Sequence, residues 1–240
     1  MPLAGHAFLA LWNDVVRTRE SEYDQWHTLE HVPERVAVTG FRGARRYVDR
    51  TKATHRYFTL YDVDSLAVFD SREYRDLMQH PTPWSAAMRP DFANLVRAIC
   101  SVTTSKGTGI GAAIACLCVP ASTPEMALDA GLENARTLPR VNAVHLGRTA
   151  HAALALPFAS PPPQSAPVRA FDRIALIEAL DRDAASHALG EVKRAVQLQA
   201  LPADFGADVY DLAFVFPGAD ADERLAHRRA AWDARSATRT

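Results

Sequence analysis

YDQWHTLEHVPERVAVTGFRGARRY, residues 23–47, joins a helix-spaced run to a strand-spaced run across a single glycine. Trp26, Leu29, Val32, Pro33 and Val36 recur at three- and four-residue intervals, which predicts a helix over 21–38. Gly40 is a helix stop. Residues 41–49 then alternate as a strand does, with Arg45 and Tyr47 on one face and Ala44, Arg46 and Val48 on the other. A short apolar strand at 5–12 precedes the helix, and a second alternating strand at 55–63 follows a turn at 50–54. A helical region at 64–80 with Asp64 as candidate cap, a proline-rich corner (HPTPW, 80–84) and a strand at 92–104 complete the first half. The order is strand, helix, strand, strand, helix, strand.

That order recurs beyond Gly107 and Gly109. A strand is predicted at 110–119, a helix with a Ser/Thr–Pro start at 123–138, strands at 141–151 and 168–180, a helix at 183–196 and a strand at 207–216. FRGARRY at 41 is matched by VNAVHLG at 141 in pattern rather than identity. Strand-helix-strand-strand-helix-strand is the ferredoxin-like unit, whose antiparallel sheet carries helices on one face and leaves the other bare. Two such units cover each other sheet to sheet. The predicted fold class is α+β: two tandem ferredoxin-like βαββαβ units closed into an intrachain α+β barrel, rather than two independent units joined at 105–109. The expected organisation is a first unit at 1–106 with the candidate site, a divergent second unit at 107–220, and a C-terminal tail at 221–240. PFASPPPQSAP at 157–167 reads as an extended loop or flap, and 222–235 as a peripheral helix.

Composition excludes several functions. A net charge of -1 provides no basic field for nucleic acid or an anionic membrane surface. No apolar run reaches the length of a membrane span, and the N-terminal run lacks a basic flank, so a cytoplasmic protein is expected. Cys100, Cys116 and Cys118 form no disulfide framework and read as buried thiols. The Gly107–Gly111 stretch precedes a strand instead of opening a helix, so it is not a dinucleotide fingerprint. A small-molecule ligand, with the chain as monomer or homodimer, remains.

W-H-x-x-E-H-x-P-E-R-x-A-x-x-G-F-x-x-A-R-R-Y (26–47), Y-x-x-L-Y (57–61), S-R-E-Y (71–74) and H-P-T-P-W (80–84) resemble the dimeric α+β barrel superfamily, in its EthD-like branch. The likeness covers the first hundred residues; the second half follows only as a pattern and has no H-x-P equivalent. The resemblance implies cofactor-free dehydratases, isomerases, cyclases and oxygenases of aromatic or polyketide-like compounds, and haem proteins.

On a helix, Tyr23, His27, His31 and Glu34 share a side opposite Leu29, Val32 and Val36. A solvated polar face accounts for His27, Glu30 and Glu34. His31, beside helix-weakening Pro33 and at the family's histidine position, has two readings: proton transfer or ligand binding, or a structural hydrogen bond. His27–His31 also spells H-x-x-E-H, but the pattern is short, Pro33 follows it, and no third ligand is in view; no metal is assigned. In 55–63, the Tyr57/Thr59/Tyr61 face is expected to line a cavity between the sheets, with His6, Phe8 and Trp12, while Phe58 and Leu60 pack under helices.

The expected enzyme is a cofactor-independent lyase or isomerase. His31 is its general acid/base, Arg46 or Arg45 holds a carboxylate or enolate, Tyr47, Tyr57 and Tyr61 orient it, and Trp12 and Trp84 line or cap the cavity. A non-catalytic binding or assembly protein is the alternative. A haem- or oxygen-dependent monooxygenase is a further one, with His31, His80 and His151 as equivalent iron ligands.

Overall fold

The computed structural model describes residues 3–150, 171–197 and 206–218. The expected loop at 157–167, His151, the tail at 221–240 and the helix at 222–235 lie outside the described residues. The first half contains β1 (Ala7–Val15), α1 (Glu20–Trp26), α2 (Val32–Val36), β2 (Phe41–Val48), β3 (Tyr57–Val63), α3 (Arg72–Gln79), α4 (Pro83–Met88) and β4 (Phe92–Gly107). The second contains β5 (Ala113–Val119), α5 (Glu125–Arg136), β6 (Val141–Thr149), β7 (Arg173–Ala179), α6 (Arg182–Ala195) and β8 (Ala207–Pro217).

The eight strands close into one antiparallel barrel in the order β1-β3-β2-β8-β5-β7-β6-β4. Within it β4-β1-β3-β2 and β8-β5-β7-β6 are the two ferredoxin-like sheets, each with strand order 4-1-3-2. Pairing of β2 with β8 and of β4 with β6 joins them, so each sheet's edge strands are satisfied by the other sheet. The α+β fold class read from the sequence is the fold observed.

An eight-stranded barrel has an interior just wide enough for side chains to fill. Here Phe8, Trp12, Tyr47, Phe58, Cys116 and Tyr210 fill it. β6 contributes Gly147, where an added Cβ would fall 2.3 Å from the Phe8 ring. A buried polar cluster, Glu178 with Arg45 and His145, interrupts this core. Glu178 of β7 is fully buried and accepts from Arg45 across the barrel, from Nε2 of His145 at 2.9 Å and from the Gly111 backbone at 2.7 Å. Nδ1 of His145 in turn lies 2.9 Å from Oγ of Ser105. His145 and Arg45 hold the Glu178 carboxyl below its ordinary range against the upward push of burial.

The faces of β3 are the reverse of those expected. Phe58 and Leu60 point into the barrel, whereas Tyr57, Thr59 and Tyr61 lie under the helices. The expected cavity between the sheets is therefore occupied by rings, and His6 is exposed. Two local expectations also change. Ser71, not Asp64, caps α3, its Oγ accepting from Tyr74 N at 3.1 Å. The HPTPW corner forms α4, with Thr82 capping it by accepting from Ser85 N.

Candidate functional site

The helix expected over 21–38 forms as α1 and α2 with a wide π-turn, His27–His31, between them. Val32 N–H reaches back five residues to the His27 carbonyl. Pro33 explains the turn: it has no N–H to give the Leu29 carbonyl, and its ring crowds that carbonyl in an α-helix. Such π-turns concentrate at functional sites. The inserted step turns Leu29 outward, 56% exposed, and buries His27, Glu30 and Glu34. The solvated polar face expected for these three is thus a buried one, because the widened turn rotates it onto the sheet.

Glu30 explains how a buried carboxylate is tolerated there. It accepts from the hydroxyls of Thr82 and Ser85, and Ser85 Oγ also accepts from Trp26 Nε1 at 3.2 Å. Glu30 is therefore committed to the α4 cap.

Beneath this segment is a pocket with about 690 Å³ of atom-free space, its open mouth included. Its floor is the outer face of β1 and β4, with Leu9, Leu11, Leu95 and Arg97. Its walls are Tyr23, Trp26, His27, His31, Glu34 and Arg35 on one side, and Tyr74, Leu77, Met78 and Arg89 on the other. His31 is half-buried, its ring 4.1 Å from Trp26 and 5.3 Å from His27. Arg35, one helical step on, donates to Nδ1 of His31 at 3.1 Å. A guanidinium only donates, so Nδ1 carries no proton and the neutral ring bears it on Nε2. Burial, reinforced by Arg35, His27 and Arg89, holds the His31 pKa well below the ordinary histidine value. Burial, with Arg46 and Arg35, does the same for His27. Both rings are neutral at pH 7. His27 Nε2 lies 3.5 Å from Thr59 Oγ1, and among the described residues its Nδ1 has no hydrogen-bond partner.

The residues expected to form one site fall on two faces of the sheet. Trp12, Arg45 and Tyr47 are inside the barrel, with Arg45 bound to Glu178. His31, Arg46, Tyr57 and Tyr61 lie on the helix side. Arg46 pairs with Asp24 and sits 5.1 Å from the Tyr23 and Tyr57 ring centres, behind His27 rather than in the pocket wall. Trp84 donates to Glu22 at 3.1 Å, beside the Tyr23–Trp26 cluster. Sequence reasoning passed over Arg35, Arg89, Arg97 and Tyr74, which line the pocket. The one available signal was Arg35, spaced i+4 from His31.

Among the described residues, neither His31 nor His80 is set up to hold haem iron. A metal-bound histidine donates its second N–H to an acceptor. His31 instead accepts from Arg35 at that nitrogen, and His80 sits on the surface against Asp76. Among the described residues no group of three His, Cys, Asp or Glu side chains is placed to hold a metal ion, and no helix is long and apolar enough to cross a membrane.

No protein-family model matches this sequence, and no curated protein matches it. Solved structures do. A protein described as anthrone oxidase-like aligns over 92% of this chain and 97% of its own, at 11% identity and a TM-score of 0.59. A putative chlorite dismutase aligns over the same shares, at 10% identity and a TM-score of 0.51. A putative monooxygenase from Fusobacterium nucleatum subsp. nucleatum aligns over 89% and 95%, at 14% identity and a TM-score of 0.50. What the chain shares with them is the closed α+β barrel fold. Identities this low speak to the fold alone.

Proposed function

We propose that the chain is a cofactor-independent enzyme acting on small, flat, enolisable compounds, and that the pocket under α1 and α2 is its active site. The carrying observation is the pair of neutral imidazoles in one pocket, with the tautomer of one fixed by Arg35. The W-H-x-x-E-H-x-P pattern and its EthD-like resemblance agree with this reading.

In this mechanism Nε2–H of His31 donates to the substrate carbonyl oxygen. Nδ1 of His27, with Nε2–H turned to Thr59, takes the proton from the adjacent carbon. Negative charge builds on the oxygen facing His31, within the field of Arg35. A histidine this hard to protonate is a weak base, so the carbon acid must itself be acidic, as when its enolate is aromatic. Reprotonation at another carbon gives an isomerase; expulsion of a neighbouring leaving group gives a lyase. Tyr61 and Arg46 stay behind the pocket wall and set its polarity.

A second reading uses the same enolate. It passes electrons to dioxygen, so that CH₂ + O₂ gives C=O + H₂O. The names of the anthrone oxidase-like protein and the putative monooxygenase favour it.

Anthrone in D₂O tests both readings. Without oxygen, NMR loss of its methylene protons should be faster with protein than with an equal concentration of imidazole. His31→Ala and His27→Phe should each slow it by about 10²–10⁴-fold. Oxygen uptake in air then separates the two readings. Equal exchange by wild type and both variants would sink the proposal.

A further inference from the structure

Three guanidinium groups line the pocket against one carboxylate, Glu34. Glu34 exerts its pull on Arg89. The other two, Arg35 and Arg97, have neutral partners. Arg35 is 8% exposed, and its hydrogen bonds go to Nδ1 of His31 and, at 3.5 Å, to Sδ of Met78. Arg97 donates to Tyr74 Oη at 2.9 Å and lies 5.9 Å from the Phe69 ring centre. Among the described residues neither forms an ion pair with a carboxylate. A guanidinium desolvated without an anion is a costly arrangement in a folded chain.

Their placement is specific. Tyr74 and Met78 are one turn apart on α3, and each accepts from one of the two guanidinium groups. Both guanidinium groups line the pocket, and each has N–H donors beyond these bonds. A carboxylate has two oxygens, so one anion can accept from both guanidinium groups.

We propose that the ligand of this pocket is a carboxylate-bearing aromatic compound, its carboxylate held between Arg35 and Arg97. This rests on the pocket being the ligand site. It adds that an anionic substituent, separate from the oxygen polarised by His31, selects the substrate. Arg35 then serves two groups: one N–H fixes His31, and its remaining donors meet the anion.

Calorimetric titration with 1-hydroxy-2-naphthoate and with 1-naphthol tests it, since both carry the enolic hydroxyl and only the first carries the carboxylate. The naphthoate should bind at least about tenfold more tightly, and added salt should erode that advantage. Arg35→Met and Arg97→Met should each remove most of the advantage, and Arg97→Met, which leaves the Arg35–His31 contact in place, should keep 1-naphthol affinity within about threefold. Arg35→Met should also leave the melting temperature of the ligand-free protein unchanged or raised, because it removes a buried unpaired charge. Equal binding of the two compounds, or an advantage untouched by both substitutions, would overturn the anion subsite and leave the pocket standing. Binding of neither compound would overturn the pocket itself, and the subsite with it.

Discussion

Arg35 donates to Nδ1 of His31 at 3.1 Å across one turn of helix, so a permanent cation fixes the proton of a neutral imidazole on its other nitrogen. That contact joins the helix, the pocket and the proposed chemistry. His27 and His31, the two ends of the wide turn before Pro33, stand on the same pocket wall.

The tautomer is directly measurable. Nitrogen chemical shifts of His31 should show an unprotonated Nδ1 and a protonated Nε2, unchanged between pH 8 and pH 6. Arg35→Met should mix the tautomers and move the titration up toward the ordinary value near 6.5. A wild-type His31 that titrates near 6.5 contradicts the assigned environment.

His27 makes stability depend on pH. Its folded pKa is held well below that of the unfolded chain, so at mildly acid pH the unfolded state binds the extra proton. Above about pH 6.5 both states are neutral and the effect vanishes. As pH falls below that value, the wild type should lose up to about 1.4 kcal/mol per unit relative to His27→Gln. Urea unfolding of both proteins at pH 7.5, 6.5 and 5.5 measures the difference, and parallel curves would refute it.

The ion pair inside the barrel should be asymmetric under mutation. Arg45→Met strands the Glu178 carboxylate in the core and should cost about 3–5 kcal/mol. The double variant Arg45→Met/Glu178→Leu, which removes both charges, should recover much of that loss. Denaturant midpoints of the two single variants and the double variant decide the matter; simple additivity would show that the pair is not coupled.

Two glycines should respond oppositely to alanine. At Gly147 the new methyl meets the Phe8 ring and Cys100, so the barrel must shift, at about 1–3 kcal/mol. At Gly190, inside α6, nothing lies within 4 Å of the added carbon, and Gly190→Ala should gain about 0.5–1 kcal/mol. Thermal melts of both variants check the signs.

Periodicity along the chain determined the order of elements, because each stretch declares by itself whether its apolar residues recur every two or every three to four positions. It also determined the barrel, because a ferredoxin-like sheet has a bare face and two of them in one chain cover each other. The alternation of Tyr57, Thr59 and Tyr61 against Phe58 and Leu60 was likewise legible. Which set faced inward was not, since both sets are apolar enough to be buried and the choice depends on what the opposite sheet and the helices present. Tyr210, on a strand more than 140 residues away, stacks on Phe58 inside the barrel, while His27 and Tyr23 meet Thr59 and Tyr57 outside it. The rotation of the histidine-bearing helix was decided in the same way: Pro33 is visible in the sequence, but the direction in which the chain relieves it depends on the packing beneath. Arg35 and Arg97, held by side chains from a helix about forty positions beyond the first and some twenty before the second, belong wholly to the tertiary structure.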